Sequence, residues 1–175
     1  MTQTDKFHPA VKAMHGLMAV AIIAAIAIIL YADQMPRSPE KFELYFWHKS
    51  LGLLLAGLII ARFIVVKKFG KPAPLGSEMQ KTMAQWGHHL LYLAMVLMPL
   101  SGLTMSYSGG HSIPFFGLFE IPGAAEKLET LGGIAHQVHE IAGNLLIIAI
   151  VLHILAALHH QFFLKDGTLS RMFGR

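Results

Sequence analysis

Four long stretches almost free of charge, each long enough to cross a bilayer, dominate this 175-residue sequence. A hydrocarbon core about 30 Å thick needs roughly 20 apolar residues in a helix that rises about 1.5 Å per residue. Residues 13–32 contain no Asp, Glu, Lys or Arg, and residues 48–66 contain only Lys49 and Arg62. Residues 82–119 are charge-free, with the helical part ending near Tyr107 ahead of Gly109-Gly110, and residues 141–164 are charge-free again. Backbone amides in lipid have no water to bond, so each stretch must satisfy its own amides as a helix. The expected fold is an all-α integral membrane protein, a four-transmembrane-helix bundle. It forms a single membrane domain over residues 1–175, with helices near 12–32, 44–67, 82–107 and 134–163. Charged residues make up 14% of the chain, against about 25% in a soluble domain. No small-residue cleavage site precedes the loop at Asp33, so the first stretch reads as a span rather than a signal peptide. Cysteine is absent, which excludes disulfides, thiolate metal sites and iron–sulfur clusters within the chain.

Loop charge orients the bundle. Lys6, Lys12, Lys67, Lys68, Lys71, Lys81, Lys165, Arg171 and Arg175 fall on one side, with Arg62 at the adjoining helix end. The other side has Arg37, Lys41, Lys49 and Lys127, offset by Asp33, Glu40, Glu43, Glu120, Glu126, Glu129 and Glu140. The positive-inside rule then places both termini in the cytoplasm. The net charge of +4 belongs to this inner face. It suits anionic lipid, so the lipid bilayer is the expected partner and nucleic acid is not.

His139, His153 and His160 lie along one stripe of the last stretch, separated by fourteen residues and then seven. At about 100° per residue, those steps return to within roughly 40° and 20° of the starting direction. Intramembrane histidines normally face the bundle interior and mark a function. His139 and His153 are about 21 Å apart along the axis, too far for one metal ion but suited to one ligand near each membrane face. His15 opens the first stretch near the cytoplasm, and His48 opens the second near the outer face. Depth therefore pairs His48 with His139 outside and His15 with His153 inside, each pair joining two helices.

Haem iron has two axial positions, and filling both with imidazole leaves none for oxygen, which favours electron transfer. Gly52 lies four residues after His48 and Gly143 four after His139, on their ligands' faces, where small residues admit a macrocycle. Arg62, fourteen residues after His48, is placed either to pair a propionate of the inner haem or to snorkel to the interface. His88 and His160, at the inner ends of the third and fourth stretches, are placed to line one pocket. His8 and His111 read as surface groups. His136 falls about 100° off the direction of His153. On the residues alone, haem stands against a non-redox proton or metal transporter. Such a transporter ordinarily wants intramembrane carboxylates or closely spaced ligands. A plain helical scaffold is the third reading, and it gives no reason for the stripe.

Further motifs join these: His88-x-x-x-Tyr92 and Met98-Pro99-Leu100-Ser101-Gly102 in the third stretch, and His139-Glu140, His153, Ala156-Ala157-Leu158 and His160 in the fourth. The tail reads Lys165-Asp166-Gly167-x-Leu169-x-Arg171-Met172. Together with His15, His48, Gly52 and Arg62, they resemble the bacterial cytochrome b561 family of four-helix, dihaem inner-membrane proteins over nearly the whole chain. The resemblance implies His15, His48, His139 and His153 as ligands of two b-type haems, and residence in the bacterial inner (plasma) membrane. It also implies electron transfer with ubiquinone, and the family includes a superoxide:ubiquinone oxidoreductase. The expected function is a transmembrane di-haem electron-transfer protein passing electrons between an outer one-electron donor, superoxide by resemblance, and ubiquinone. His88 and His160 are the quinone-site candidates, and the donor site falls near Lys41, His111 and Lys127. The alternative within the resemblance is a cytochrome b subunit serving a membrane dehydrogenase or hydrogenase as redox partner protein. The short chain without an added soluble domain favours the stand-alone branch.

Overall fold

The computed structural model describes residues 6–174. Residues 1–5 and Arg175, the latter counted above with the basic residues, lie outside the described residues. Four long helices run α1 (Pro9–Asp33), α2 (Pro39–Phe69), α3 (Glu78–Ser108) and α4 (Glu129–His159). All four are long and apolar enough to cross a membrane. Helix α4 opens into a π turn at His160–Leu164, and a short helix α5 (Thr168–Phe173) follows.

Each long helix begins three to five residues before the apolar stretch suggests, and at α1, α2 and α3 a polar cap starts the helix outside the apolar zone. Ser38 Oγ accepts from Lys41 N at 3.3 Å ahead of Pro39. Ser77 and Gln80 form a reciprocal capping box, and His8 Nδ1 accepts from Ala10 N at 3.2 Å ahead of Pro9. Such caps satisfy amides that the first turn leaves unbonded. The end placed near 163 divides instead: the α-helix stops at His159 and the last turn widens.

The helices form two hairpins, α1 on α2 and α3 on α4, joined more sparsely through α2 and α3. Small side chains let the backbones approach within each hairpin. Ala21, Ala25 and Ala32 are buried on α1, and Ala135, Ala142 and Ala149 are buried on α4 at seven-residue spacing. Large apolar side chains such as Val20, Ile60, Ile64 and Ile141 face outward, as lipid requires.

Hydrogen bonds define the two ends of the bundle. At one end, Phe7 N donates to Arg171 O, and Arg171 Nη1 donates to Ala73 O at 2.9 Å. The N-terminal segment, the α2–α3 loop and the tail, which carry the basic residues, therefore share that end. The other end is capped by an antiparallel hairpin of β1 (Ile113–Phe115) and β2 (Phe119–Ile121), turning at Phe116 and Gly117 with positive φ. Ser50 pins this hairpin to α2. Its fully buried Oγ donates to Pro114 O at 3.2 Å and accepts from Phe116 N at 3.0 Å. Lys49 Nζ adds a bond to Ser112 O at 3.1 Å.

Candidate functional site

Four histidines meet in two pairs between the hairpins. His48 on α2 and His139 on α4 have ring centres 6.2 Å apart at the β-hairpin end. His15 on α1 and His153 on α4 have ring centres 6.3 Å apart at the basic end. Each pair draws one ring from each hairpin, although the backbones of α1 and α4 scarcely approach. Two imidazoles on opposite sides of one metal, with metal–nitrogen bonds of about 2 Å, have ring centres roughly 6 Å apart.

The outer rings are held by their own hairpins. His48 Nδ1 donates to Ala25 O on α1 at 3.0 Å. His139 Nδ1 lies 3.0 Å from Met98 O and 3.1 Å from Ser101 Oγ, both on α3. Ser101 Oγ directs its own proton to Leu97 O at 2.6 Å. Carbonyl oxygens only accept, so the Nδ1 positions carry the protons and Nε2 is left as the ligand atom. Metal-binding histidines are usually oriented this way.

The segment Met98-Pro99-Leu100-Ser101-Gly102 is thus a seat for His139. Met98 and Ser101 supply acceptors. Gly102 supplies space, since a Cβ there would stand 3.0 Å from His139 Cε1. Spacing alone did not single out Gly102, because its partner is on another helix. A Cβ added at Gly52 would meet nothing within 4 Å. A Cβ added at Gly143 would stand 3.5 Å from Met98 Cε on α3.

The inner pair has a third histidine beside it. His88 on α3 lies edge-on to His153 with ring centres 5.6 Å apart. It belongs to the same hairpin as His153, whereas His15 faces across the gap. Arg62 is half-buried; its Nε donates to Tyr92 Oη at 3.3 Å, and its charge reaches His15, His88 and His153. That places it beside the inner pair. Tyr92 also stacks on Phe63, and Lys71 Nζ lies 5.4 Å from its ring centre. His160 is engaged elsewhere, with Asp166 Oδ2 at 2.5 Å from Nδ1. The structure therefore sets His88 against His153 and His160 against the tail.

The family model for prokaryotic cytochrome b561 matches residues 6–175. The chain belongs to that family. It is 31% identical over 161 residues to a probable superoxide oxidase CybB of Yersinia pestis, covering 91% of this chain and 90% of the relative. It is 30% identical over 172 residues to cytochrome b561 homolog 2 of Escherichia coli (strain K12), covering 93% and 88%. Cytochrome b561 homolog 1 of the same organism is 28% identical over 130 residues, covering 73% of each chain. As a cytochrome b561 family member, the chain is a multi-pass bacterial membrane protein that transfers electrons and binds b-type haem. The donor set fits that group: imidazole pairs at ligand spacing, with Nδ1 tethered at the outer pair, each bridging α1 or α2 to an α4 whose backbone scarcely approaches theirs.

Proposed function

We propose that this chain holds two b-type haems stacked across the bacterial inner membrane and passes electrons from superoxide on the β-hairpin side to ubiquinone on the basic, cytoplasmic side. The observation that carries the reading is the pairing of His48 with His139 and of His15 with His153 at matching spacings of 6.2 and 6.3 Å. The pairs are about 21 Å apart along α4. Haem held by these histidine pairs would supply a one-electron carrier.

The residues supply position and charge. His48 and His139 hold the outer group, oriented by Ala25, Met98 and Ser101. His15 and His153 hold the inner group, and Arg62, fixed by Tyr92, pairs with a propionate there. His160, two turns beyond His153, borders the quinone and donates a proton to its reduced oxygen. His88 is the second quinone-site candidate, placed beside the inner pair. The Yersinia pestis relative is named a probable superoxide oxidase, which supports superoxide as the donor. Two superoxide ions each lose one electron to become dioxygen, and ubiquinone takes up two electrons and two protons to become ubiquinol. Both termini then lie in the cytoplasm.

Rapid mixing of oxidised, purified protein with superoxide tests this, with the haem spectrum followed first and a ubiquinone analogue added second. Reduction by superoxide and reoxidation by the quinone are the expected results. Reduction by dithionite but not by superoxide would assign the donor role to a partner subunit.

A further inference from the structure

We propose that Asp166 is a positioning residue for quinone reduction, fixing the tautomer and charge of His160 so that the Nε2 proton is the one delivered. The inference rests on the reading of His160 as bordering the quinone. Where α4 widens into its π turn, Lys165 takes a left-handed conformation at φ 53° and the chain doubles back. Asp166 N then bonds His160 O at 3.3 Å, and Asp166 Oδ2 lies 2.5 Å from His160 Nδ1. The other carboxylate oxygen accepts from Thr168 N at 3.0 Å and Thr168 Oγ1 at 2.6 Å. Leu169 N donates to Gln161 Oε1 at 3.2 Å, tying α5 to the same turn. The carboxylate is held from both sides, and nothing in the electron path between the histidine pairs requires it.

The carboxylate also meets water. Asp166 lines a pocket of about 280 Å³ with Lys6, Leu75, Gly167, Ser170 and Arg171. The charged and titratable groups around the dyad are Lys6 from the N-terminal segment, Arg171 from α5, Lys165 beside it in the chain, and His159, whose ring centre is 6.2 Å from that of His160. Partial burial pushes the Asp166 carboxyl up, but hydrogen bonds from His160 and Thr168 outweigh it and hold the group below its usual range. An ionised carboxylate on Nδ1 stabilises the imidazolium and keeps Nδ1–H turned towards itself. In the reducing step the Nε2–H bond of His160 breaks and an O–H bond forms on the quinone. The electrons come from the chain's own transfer activity, the second proton comes from water, and Nε2 regains a proton from water once quinol leaves.

The test is reoxidation of the reduced holoprotein by a ubiquinone analogue between about pH 6 and pH 9 for Asp166→Asn, Asp166→Glu and His160→Leu. Asp166→Asn should keep its haem and its rate of reduction. Its reoxidation should fall about tenfold at pH 8 and approach the unmodified rate near pH 6, because the alkaline fall in rate moves about one pH unit lower. Asp166→Glu should recover most of the loss. A normal pH profile in Asp166→Asn while His160→Leu is slow would overturn the role of Asp166 and leave the quinone reading standing. Normal reoxidation in His160→Leu would remove the quinone reading and this proposal with it. Should Asp166→Asn fail to retain haem, Thr168→Val decides, since it removes the hydroxyl that holds the carboxylate at 2.6 Å. Its reoxidation should slow at pH 8 with reduction unchanged, and a normal pH profile would overturn the role of Asp166.

Discussion

Gly102 and His139 are matched across α3 and α4: a Cβ on Gly102 would stand 3.0 Å from the imidazole Cε1, while the same α3 segment holds Nδ1 through Met98 O at 3.0 Å. One short stretch both makes room for the ring and aims it. Gly102→Ala should shift the ring by a few tenths of an ångström and weaken outer haem retention. Gly102→Val, whose branched side chain cannot give way, should remove most of the outer haem at an overpacking cost of about 1–3 kcal/mol. Haem content per protein checks this, and full loading of Gly102→Val would contradict it.

Ser101→Ala removes one of the two acceptors at His139 Nδ1 and leaves Met98 O. The expected result is normal haem content with a changed midpoint potential for the outer haem only, because a ligand's hydrogen bond sets its basicity. Redox titration of both haems reads it, and an equal change at the inner haem would count against the seat.

The rings of the outer pair stand at 88° to each other and those of the inner pair at 40°. If the rings keep these angles as ligands, the perpendicular pair would leave two iron d orbitals nearly degenerate, whereas the inclined pair would split them. The oxidised protein should therefore show two low-spin ferric signals in electron paramagnetic resonance. The more anisotropic one should disappear in His139→Ala; its disappearance in His153→Ala would reverse the assignment.

Arg62→Leu removes a cation beside the inner pair. A positive charge favours the added electron, so the inner midpoint potential should fall by roughly 50 mV while the outer one stays within error. Tyr92→Phe, which loses the bond to Arg62 Nε at 3.3 Å, should move the same potential in the same direction by less.

The spans were legible because bilayer thickness imposes a length on an apolar helix. The helix starts were not, because Pro39 and Glu78 sit in polar turns that a hydropathy window rejects, while Ser38 and Ser77 cap them. The spacing of His139 and His153 along one helix could be read directly from the sequence. The seat built by Met98, Ser101 and Gly102 could not, since it exists only once α3 packs on α4. His88 and His160 both lie at inner helix ends, yet one turns to His153 and the other to Asp166. The difference comes from the π turn, which helical periodicity does not contain.

Orientation has its own check. In Ala73→Cys and Leu118→Cys variants of this cysteine-free chain, an impermeant maleimide should label Leu118→Cys in intact cells and Ala73→Cys only after lysis. Labelling of Ala73→Cys in intact cells would reverse the bundle.

The central claim, two cross-hairpin histidine pairs each holding one haem, is tested most directly by haem-to-protein ratio in the four single His→Ala variants, with folding verified for each. The account predicts about two haems per chain in the unmodified protein. His48→Ala and His139→Ala should lose the same spectral component, and His15→Ala and His153→Ala should both lose the other. Loss of both components in every folded variant, or a ratio near one before any substitution, would contradict it.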